Sequence, residues 1–208
     1  MAGLIGNGFG TQEMALNSIN LSFNSDRLQF SPLSDGDLQL GLELWTDPEI
    51  TKFVGGPRTI EELTQDHHKY TRRCAGGAIG VWTLTPLGSD DQIGTCILLP
   101  MPIEEDDTDW DLVVGDGLPD APIEVGYIFK KSAWGKGYGT EACTRMIDFG
   151  FENTELDEIV ASIDRNNMAS GNVLIKSGLK PAGDQLSYGE ICPFFRITRD
   201  DWKKKHDH

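Results

Sequence analysis

Nine residues with three glycines, Trp134-Gly135-Lys136-Gly137-Tyr138-Gly139-Thr140-Glu141-Ala142, separate two stretches of different periodicity. Upstream, Ile123-Glu124-Val125-Gly126-Tyr127-Ile128-Phe129 is apolar and β-prone. Downstream, Ala142, Met146 and Phe149 recur at spacings of four and three, the repeat of one helix face. The nine residues therefore read as a strand-to-helix turn. Glycine permits positive φ and close backbone approach, and the first N–H groups of a helix lack intrahelical partners. With the positive end of the helix dipole, such a turn makes a seat for an anion such as a pyrophosphate.

Two nucleotide motifs compete for the same stretch. A P-loop requires Gly-Lys-Ser/Thr after a four-residue gap, and none is present. The fingerprint Gly-x-Gly-x-x-Gly needs glycine at position 140 or 142, where Thr140 and Ala142 stand. Its Ala-ending variant fits from Gly137, so the turn alone leaves a dinucleotide reading open. The turn's place, late in the chain behind several strand-like segments, argues against that reading.

The stretch Trp134 to Gly139 resembles the acetyl-CoA pyrophosphate loop of the GNAT superfamily of N-acetyltransferases, Arg/Gln-x-x-Gly-x-Gly/Ala, with Trp in first place. Trp followed by Gly-Lys-Gly-Tyr and Thr-Glu-Ala is similar to the branch containing the ribosomal-protein N-terminal acetyltransferases. A second block agrees in order: Asn167-Met168-Ala169-Ser170, then Val173-Leu174 and Lys176-Ser177-Gly178-Leu179, resembles Asn-x-x-Ser…Lys-x-Gly-Phe. The resemblance spans residues 26–202 and is strongest over 123–180. It implies one α+β domain with the GNAT acyl-CoA N-acyltransferase fold, a central, splayed, mostly antiparallel sheet flanked by helices.

Length and composition agree with one soluble domain. A chain of 208 residues buries one sizeable core. No window approaches the 18 or so consecutive apolar residues of a membrane span, so no membrane partner is expected. There is no Lys or Arg before Arg27, hence no basic start of a secretory signal, and Cys74, Cys96, Cys143 and Cys192 form no Cys-x-x-Cys pair. Reduced thiols in a cytoplasmic protein follow. A net charge of −15 argues against nucleic acid and favours a cationic acceptor, although solubility alone also accounts for it. Lys130, Lys131 and Lys136 lie between Ile128 and Thr140 with no acid among them, a local basic patch. Screening beyond about 8 Å lets a polyanion dock there despite the global charge.

In chain order, residues 1–25 are rich in Gly, Asn and Ser and read as a flexible leader; 203–208 reads as a charged tail, with fraying expected from 201 onward. The first strand begins at Leu28-Gln29-Phe30, a helix runs from Asp37 to Trp45, and Thr59-Ile60-Glu61-Glu62 opens another toward Arg73. On it, His67 and His68 face different sides and read as a surface pair. Stretches 78–84 and 92–99 form a hairpin. Residues 103–122, with Glu104-Glu105-Asp106-Asp107 and four further acids, read as a solvated insertion or as an acidic lip for a cationic acceptor; the spacing is wrong for calcium. Ile159–Ile163 follows the helix as a strand parallel to Ile123–Phe129. Strands near 182–188 and 192–198 close the domain.

By resemblance, pantetheine lies between the two parallel strands. Backbone groups of Ile128, Phe129 and Lys130 pair with it, and the amides from Trp134 through Gly135, Lys136, Gly137, Tyr138 and Gly139 to Thr140 hold the pyrophosphate. Asn167 hydrogen-bonds pantetheine. Many family members place a Tyr, the acid for the leaving thiolate, where Leu174 stands here. That role passes to the Ser170 hydroxyl or to water; an N-cap role for Ser170 is equally open. Glu124 is the candidate general base, with a structural or exposed carboxylate as the equal alternative, and shares one strand face with Gly126 and Ile128. The cosubstrate is acetyl-CoA, with no metal, and the acceptor is a primary amine in a monomer or homodimer. Deprotonating an α-amine of pKa about 7.8 at pH 7 costs roughly 1 kcal/mol, against about 4.6 for a lysine-like amine. That leans toward a protein N-terminus. A polyamine or aminoglycoside is the alternative acceptor, and a CoA-binding module without turnover is the alternative class.

Overall fold

Residues 20–206 are described by the computed structural model, and the apolar runs read from the sequence become strands of a single sheet. They are β1 (Phe23–Asn24), β2 (Leu28–Pro32), β3 (Gly80–Pro86), β4 (Gly94–Pro100), β5 (Ile123–Phe129), β6 (Glu158–Ser162), β7 (Lys180–Ser187) and β8 (Glu190–Thr198). The order across the sheet is β1-β2-β3-β4-β5-β6-β8-β7. Neighbours run antiparallel except β5 and β6, whose parallel pairing requires a crossover. That crossover is α3 (Tyr138–Asn153). The other helices are α1 (Leu38–Trp45), α2 (Ile60–Tyr70), α4 (Met168–Ser177) and α5 (Arg199–His206).

The sheet is unevenly zipped. β5 pairs with β4 along its whole length, from Gly94↔Phe129 to Pro100↔Ile123. Toward β6 it keeps one register pair, Glu124↔Val160. β6 pairs instead with β8, from Glu158↔Thr198 to Ser162↔Phe194. Past Glu124 the two parallel strands therefore part, leaving the β6-facing edge of Gly126, Tyr127 and Ile128 without a strand partner among the described residues. Strand alternation sends Val125, Tyr127 and Phe129 to one face and Glu124, Gly126 and Ile128 to the other. The first face joins Trp82, Cys96, Leu98 and the α3 residues Cys143, Met146 and Phe149 in the main core. Gly150 lets α3 lie close on the sheet: a Cβ there would meet Ile159 Cδ1 at 2.9 Å and Leu98 Cδ1 at 3.0 Å.

Several boundaries differ from expectation for packing reasons. Of the leader, residues 1–19 lie outside the described residues. Residues 23 and 24 are already in the sheet, because the Phe23 ring stacks on Phe30 at 4.7 Å and on Phe149 at 4.3 Å. The charged tail does not fray through 206. It forms α5, docked by Trp202 Nε1 donating to Asp148 Oδ1 at 2.8 Å, and Arg199 donates to the carbonyls of Phe151, Thr154 and Leu156. His67 is buried, with Nε2 at 3.0 Å from the Ser34 carbonyl, while His68 is exposed as expected. The acidic insertion is anchored rather than free: Trp110 packs edge-on against Tyr70 at 5.3 Å, Val113 is buried, and Arg72 Nη1 donates to the Trp110 carbonyl at 3.0 Å. Its acids remain largely exposed around these anchors.

Because Phe23 is sandwiched between two rings, Phe23→Ala should lower unfolding stability by about 2 kcal/mol, read as a urea midpoint shift at unchanged m-value. A leader residue would show no shift.

Candidate active site

The glycine turn folds as a helix entry with open donors. Gly135 (φ 70) and Gly137 (φ 80) both take left-handed backbone, and Gly137 is the N-cap of α3 without any side-chain cap. The first bond back along the helix is Glu141 N to the Gly137 carbonyl at 3.2 Å, so the amides of Tyr138, Gly139 and Thr140 precede the helical ladder. Among the described residues, Gly135, Lys136 and Gly137 also donate to no other backbone group. Trp134 behaves differently. Its amide donates to the Lys131 carbonyl at 3.1 Å, and its indole, half exposed, donates to the Phe129 carbonyl at 2.9 Å. The Lys130 amide is likewise engaged, with the Ile93 carbonyl at 2.8 Å. The open donors thus run from Gly135 to Thr140, and Trp134 pins the turn to the end of β5.

A residue pair unmarked in the sequence braces this turn. The Glu141 carboxylate accepts from Arg27 Nε at 2.7 Å, Arg27 N at 2.6 Å and Ser25 Oγ at 2.7 Å. Arg27 Nη1 reaches the Lys136 carbonyl at 3.0 Å, and the guanidinium lies 4.7 Å from the Tyr138 ring centre. These contacts, the Arg27 ones included, hold the Glu141 carboxyl below its ordinary pKa against the opposing effect of burial, which is individually the largest influence.

The expected basic patch is largely neutralised. Lys130 Nζ sits 2.6 Å from Glu43 and 3.2 Å from Asp91, and Lys131 Nζ sits 2.9 Å from Asp47 and 2.6 Å from Glu49. The acids come from the segment around α1 and from the β3–β4 turn, distant in sequence. Lys136 alone of the three has no ion pair among the described residues.

On the core face of β5, the Tyr127 hydroxyl lies 2.9 Å from Ser170 Oγ and 3.3 Å from the Ser170 carbonyl. Burial pushes the Tyr127 phenol well up, so it stays neutral. The N-cap of α4 is Asn167, whose Oδ1 accepts from the Ser170 amide at 3.1 Å. Ser170 is therefore not the cap, and its hydroxyl is held by Tyr127.

On the opposite face, Glu124 is buried, at 4% exposure, and accepts a hydrogen bond from the Tyr188 hydroxyl. Burial lifts its carboxyl to about 7, with the Tyr188 bond opposing the rise. Tyr188 occupies the β7–β8 turn with φ 55, followed by Gly189 at φ 71. The geometry thus separates the two candidate proton-handling groups. Glu124 lies on one face of β5 and Ser170 on the other, beside the place where β5 and β6 part.

Sequence reasoning named Glu124, Ser170, Asn167 and the glycine turn: Glu124 stands at the last β5–β6 register pair, Ser170 and its cap Asn167 beside Tyr127, and the turn beyond the end of β5. It missed Tyr188, Tyr127 and the Arg27–Glu141 brace. A Tyr-Gly pair between two strand-like runs marks a tight hairpin, but nothing local shows that the hairpin reaches a residue 64 positions earlier. Among the described residues no three His, Cys, Asp or Glu side chains gather as metal ligands, and no helix is long and apolar enough to cross a membrane.

Comparison with known proteins gives a family and a fold. A family model described as an acetyltransferase (GNAT) domain matches residues 27–180. The FsC-acetyl coenzyme A-N(2)-transacetylase of Aspergillus fumigatus is 27% identical over 195 residues, covering 87% of this chain and 77% of its own. The crystal structure of a GNAT-family acetyltransferase from Bacillus anthracis superposes with a TM-score of 0.66 at 18% identity, covering 86% of this chain and 99% of that one. A spermidine N-acetyltransferase from Vibrio cholerae, solved with CoA and spermine, gives 0.63 at 15%, with 85% and 98% covered. At those identities the two structures speak for the fold.

Folding raises the Glu124 pKa from 4.5 to about 7, so ionising this group opposes folding. Its contribution is fully present below pH 4.5 and is lost as pH rises through about 7. Glu124→Gln should therefore match the parent's stability near pH 4 and exceed it at pH 8 by about 3 kcal/mol, measured by denaturant unfolding at both pH values.

Proposed function

The chain belongs to the GNAT acetyltransferase family, and we propose that this acetyl-CoA-dependent N-acetyltransferase takes a primary amine that reaches Glu124 from the even-numbered face of β5. The residues present fit the cosubstrate. Uncapped amides at the start of α3 suit a diphosphate, and the unpaired edge at Gly126–Ile128 suits a strand-like amide chain. Acetyl-CoA supplies the activated thioester. The protein's part is to grip it with the amides of Gly135 to Thr140, with Lys136 adding charge, and to orient it with the edge at Ile128 and the Asn167 amide group. Glu124 takes the amine's proton and later yields it to solvent, and the Ser170 hydroxyl, held by Tyr127, would give a proton to the departing thiolate and regain one from water.

The observation that carries this reading is the buried Glu124 carboxyl, lifted to about 7. A general base is most effective with a pKa near the working pH. It also best accepts a proton from a weakly basic amine, since each unit of mismatch costs about 1.4 kcal/mol. This supports an N-terminal α-amine, in line with the likeness to the ribosomal-protein branch. A second reading, a small polycation, is favoured by the anchored acidic segment. Asp107, 3.7 Å from Arg58, also acts on Tyr188 and raises its pKa, which puts one acid of that segment near the partner of the base. The Aspergillus fumigatus relative, named for an N(2) transfer, and the spermidine enzyme also bear on small acceptors.

The test is CoA-thiol release with a panel of peptide α-amines, polyamines and aminoglycosides. An accepted amine should lose at least tenfold in kcat with Glu124→Gln. Neutralising residues 104–111 should raise KM several-fold for polyamines and leave peptide KM unchanged. Turnover insensitive to Glu124→Gln would remove the base assignment, and failure of CoA to bind would remove the whole reading.

A further inference from the structure

We infer that Tyr188 is a positioning residue for the Glu124 base: the β7–β8 hairpin exists in its present form to deliver this phenol to the carboxylate. The inference rests on the proposed function only in that Glu124 is taken as the base. Three independent observations carry it.

The backbone is the first. A two-residue hairpin turn with both central residues at positive φ favours Asn-Gly or Gly-Gly. Here the first position holds Tyr, at φ 55, where a bulky side chain is disfavoured. Such a conformation persists where surrounding structure enforces it, and it gathers at functional sites.

The second is that the enforcing contacts are present. The Tyr188 amide donates to the Pro102 carbonyl at 3.1 Å and the Gly189 amide to the Ile103 carbonyl at 3.0 Å. The turn is thus clamped to the start of the acidic segment. At Gly189, φ 71, a side chain would be strained and crowded, since a Cβ would stand 3.1 Å from the Glu104 carbonyl oxygen.

The third is the destination. The phenol ends on Glu124, otherwise enclosed by apolar neighbours: Val160 in register on β6, Leu99 on β4, and the Met101–Val160–Phe194 cluster against which Tyr188 packs. No other side chain donates to Glu124 among the described residues. The titratable groups bearing on the pair are Tyr188 itself, from the hairpin, and Asp107, from the acidic segment. A buried carboxylate with a single donor depends on that donor both for direction and for its readiness to ionise.

Replacing the phenol removes the donor and leaves the ring, so Glu124 becomes harder to ionise. In Tyr188→Phe the midpoint of the Glu124 carboxyl should move up by about one pH unit, read by 13C NMR of labelled glutamate without acceptor and assigned with Glu124→Gln. The acid limb of kcat should move with it, giving about fivefold slower turnover at pH 7 and recovery by pH 9, at unchanged KM for acetyl-CoA. A hairpin with a merely structural role would lower the melting temperature and leave the carboxyl midpoint in place, and that result overturns the inference. Because the titration needs no acceptor, it separates this inference from the proposed function, which fails instead if turnover ignores Glu124→Gln. Should Tyr188→Phe fail to accumulate folded, incorporation of 3-fluorotyrosine, which keeps the ring and makes the hydroxyl a stronger donor, should move the Glu124 midpoint down, and an unmoved midpoint overturns the inference.

Discussion

The separation of β5 from β6 after one register pair is the constraint on which the site depends. A parallel pair normally forms an evenly spaced ladder, and leaving buried amides and carbonyls without partners costs free energy. Here both strands are secured from outside, β5 by β4 along its length and β6 by β8. The sheet can then part in its middle without coming undone, and the exposed edge is available to a ligand that supplies its own amides. α3 crosses from one strand to the other and must start at the open end of β5. Its uncapped amides therefore fall beside the cleft as a consequence of the topology.

The same strand separates the chemistry into two faces. With a period of two, residues 124 and 127 cannot share a face. Tyr127 goes to the core side and holds Ser170; Glu124 goes to the other and is held by Tyr188. The proposed proton acceptor and the proposed proton donor are thus kept apart on either side of the position where the strands diverge. Each is oriented by a tyrosine whose own pKa burial drives upward. Both phenols consequently stay neutral rather than acting as competing anions.

What was legible in the sequence was short-range or periodic. β5 was read with the bounds it has, and the capping box at Thr59 formed as read, because alternation and capping are written in neighbouring residues. The glycine turn and Asn167–Ser170 were legible as blocks of a familiar pattern. What was not legible depended on distant partners. The extent of the sheet at Phe23 depends on Phe149 and Phe30, the docking of α5 on Asp148, and the burial of His67 on Ser34. The Glu124–Tyr188 contact belongs to the same class, since it joins two segments only after β8 has paired with β6 and the hairpin has been clamped to residues 102 and 103.

The fate of the three lysines shows how an acidic chain can still receive a polyanion. At a net charge of −15, a lysine near the surface has many carboxylates within reach, and Lys130 and Lys131 each meet two. Cationic side chains are therefore an unreliable grip here, because folding itself supplies their counterions. Backbone amides at a helix start are not subject to that competition: they carry partial charge without net charge, and where no side chain caps them they are held by water that a ligand can displace. Gly137 provides no cap, and the one acid of the first helical turn, Glu141, is turned away and held by Arg27 and Ser25. The brace thus keeps the protein's own carboxylate out of the seat that the glycines leave open.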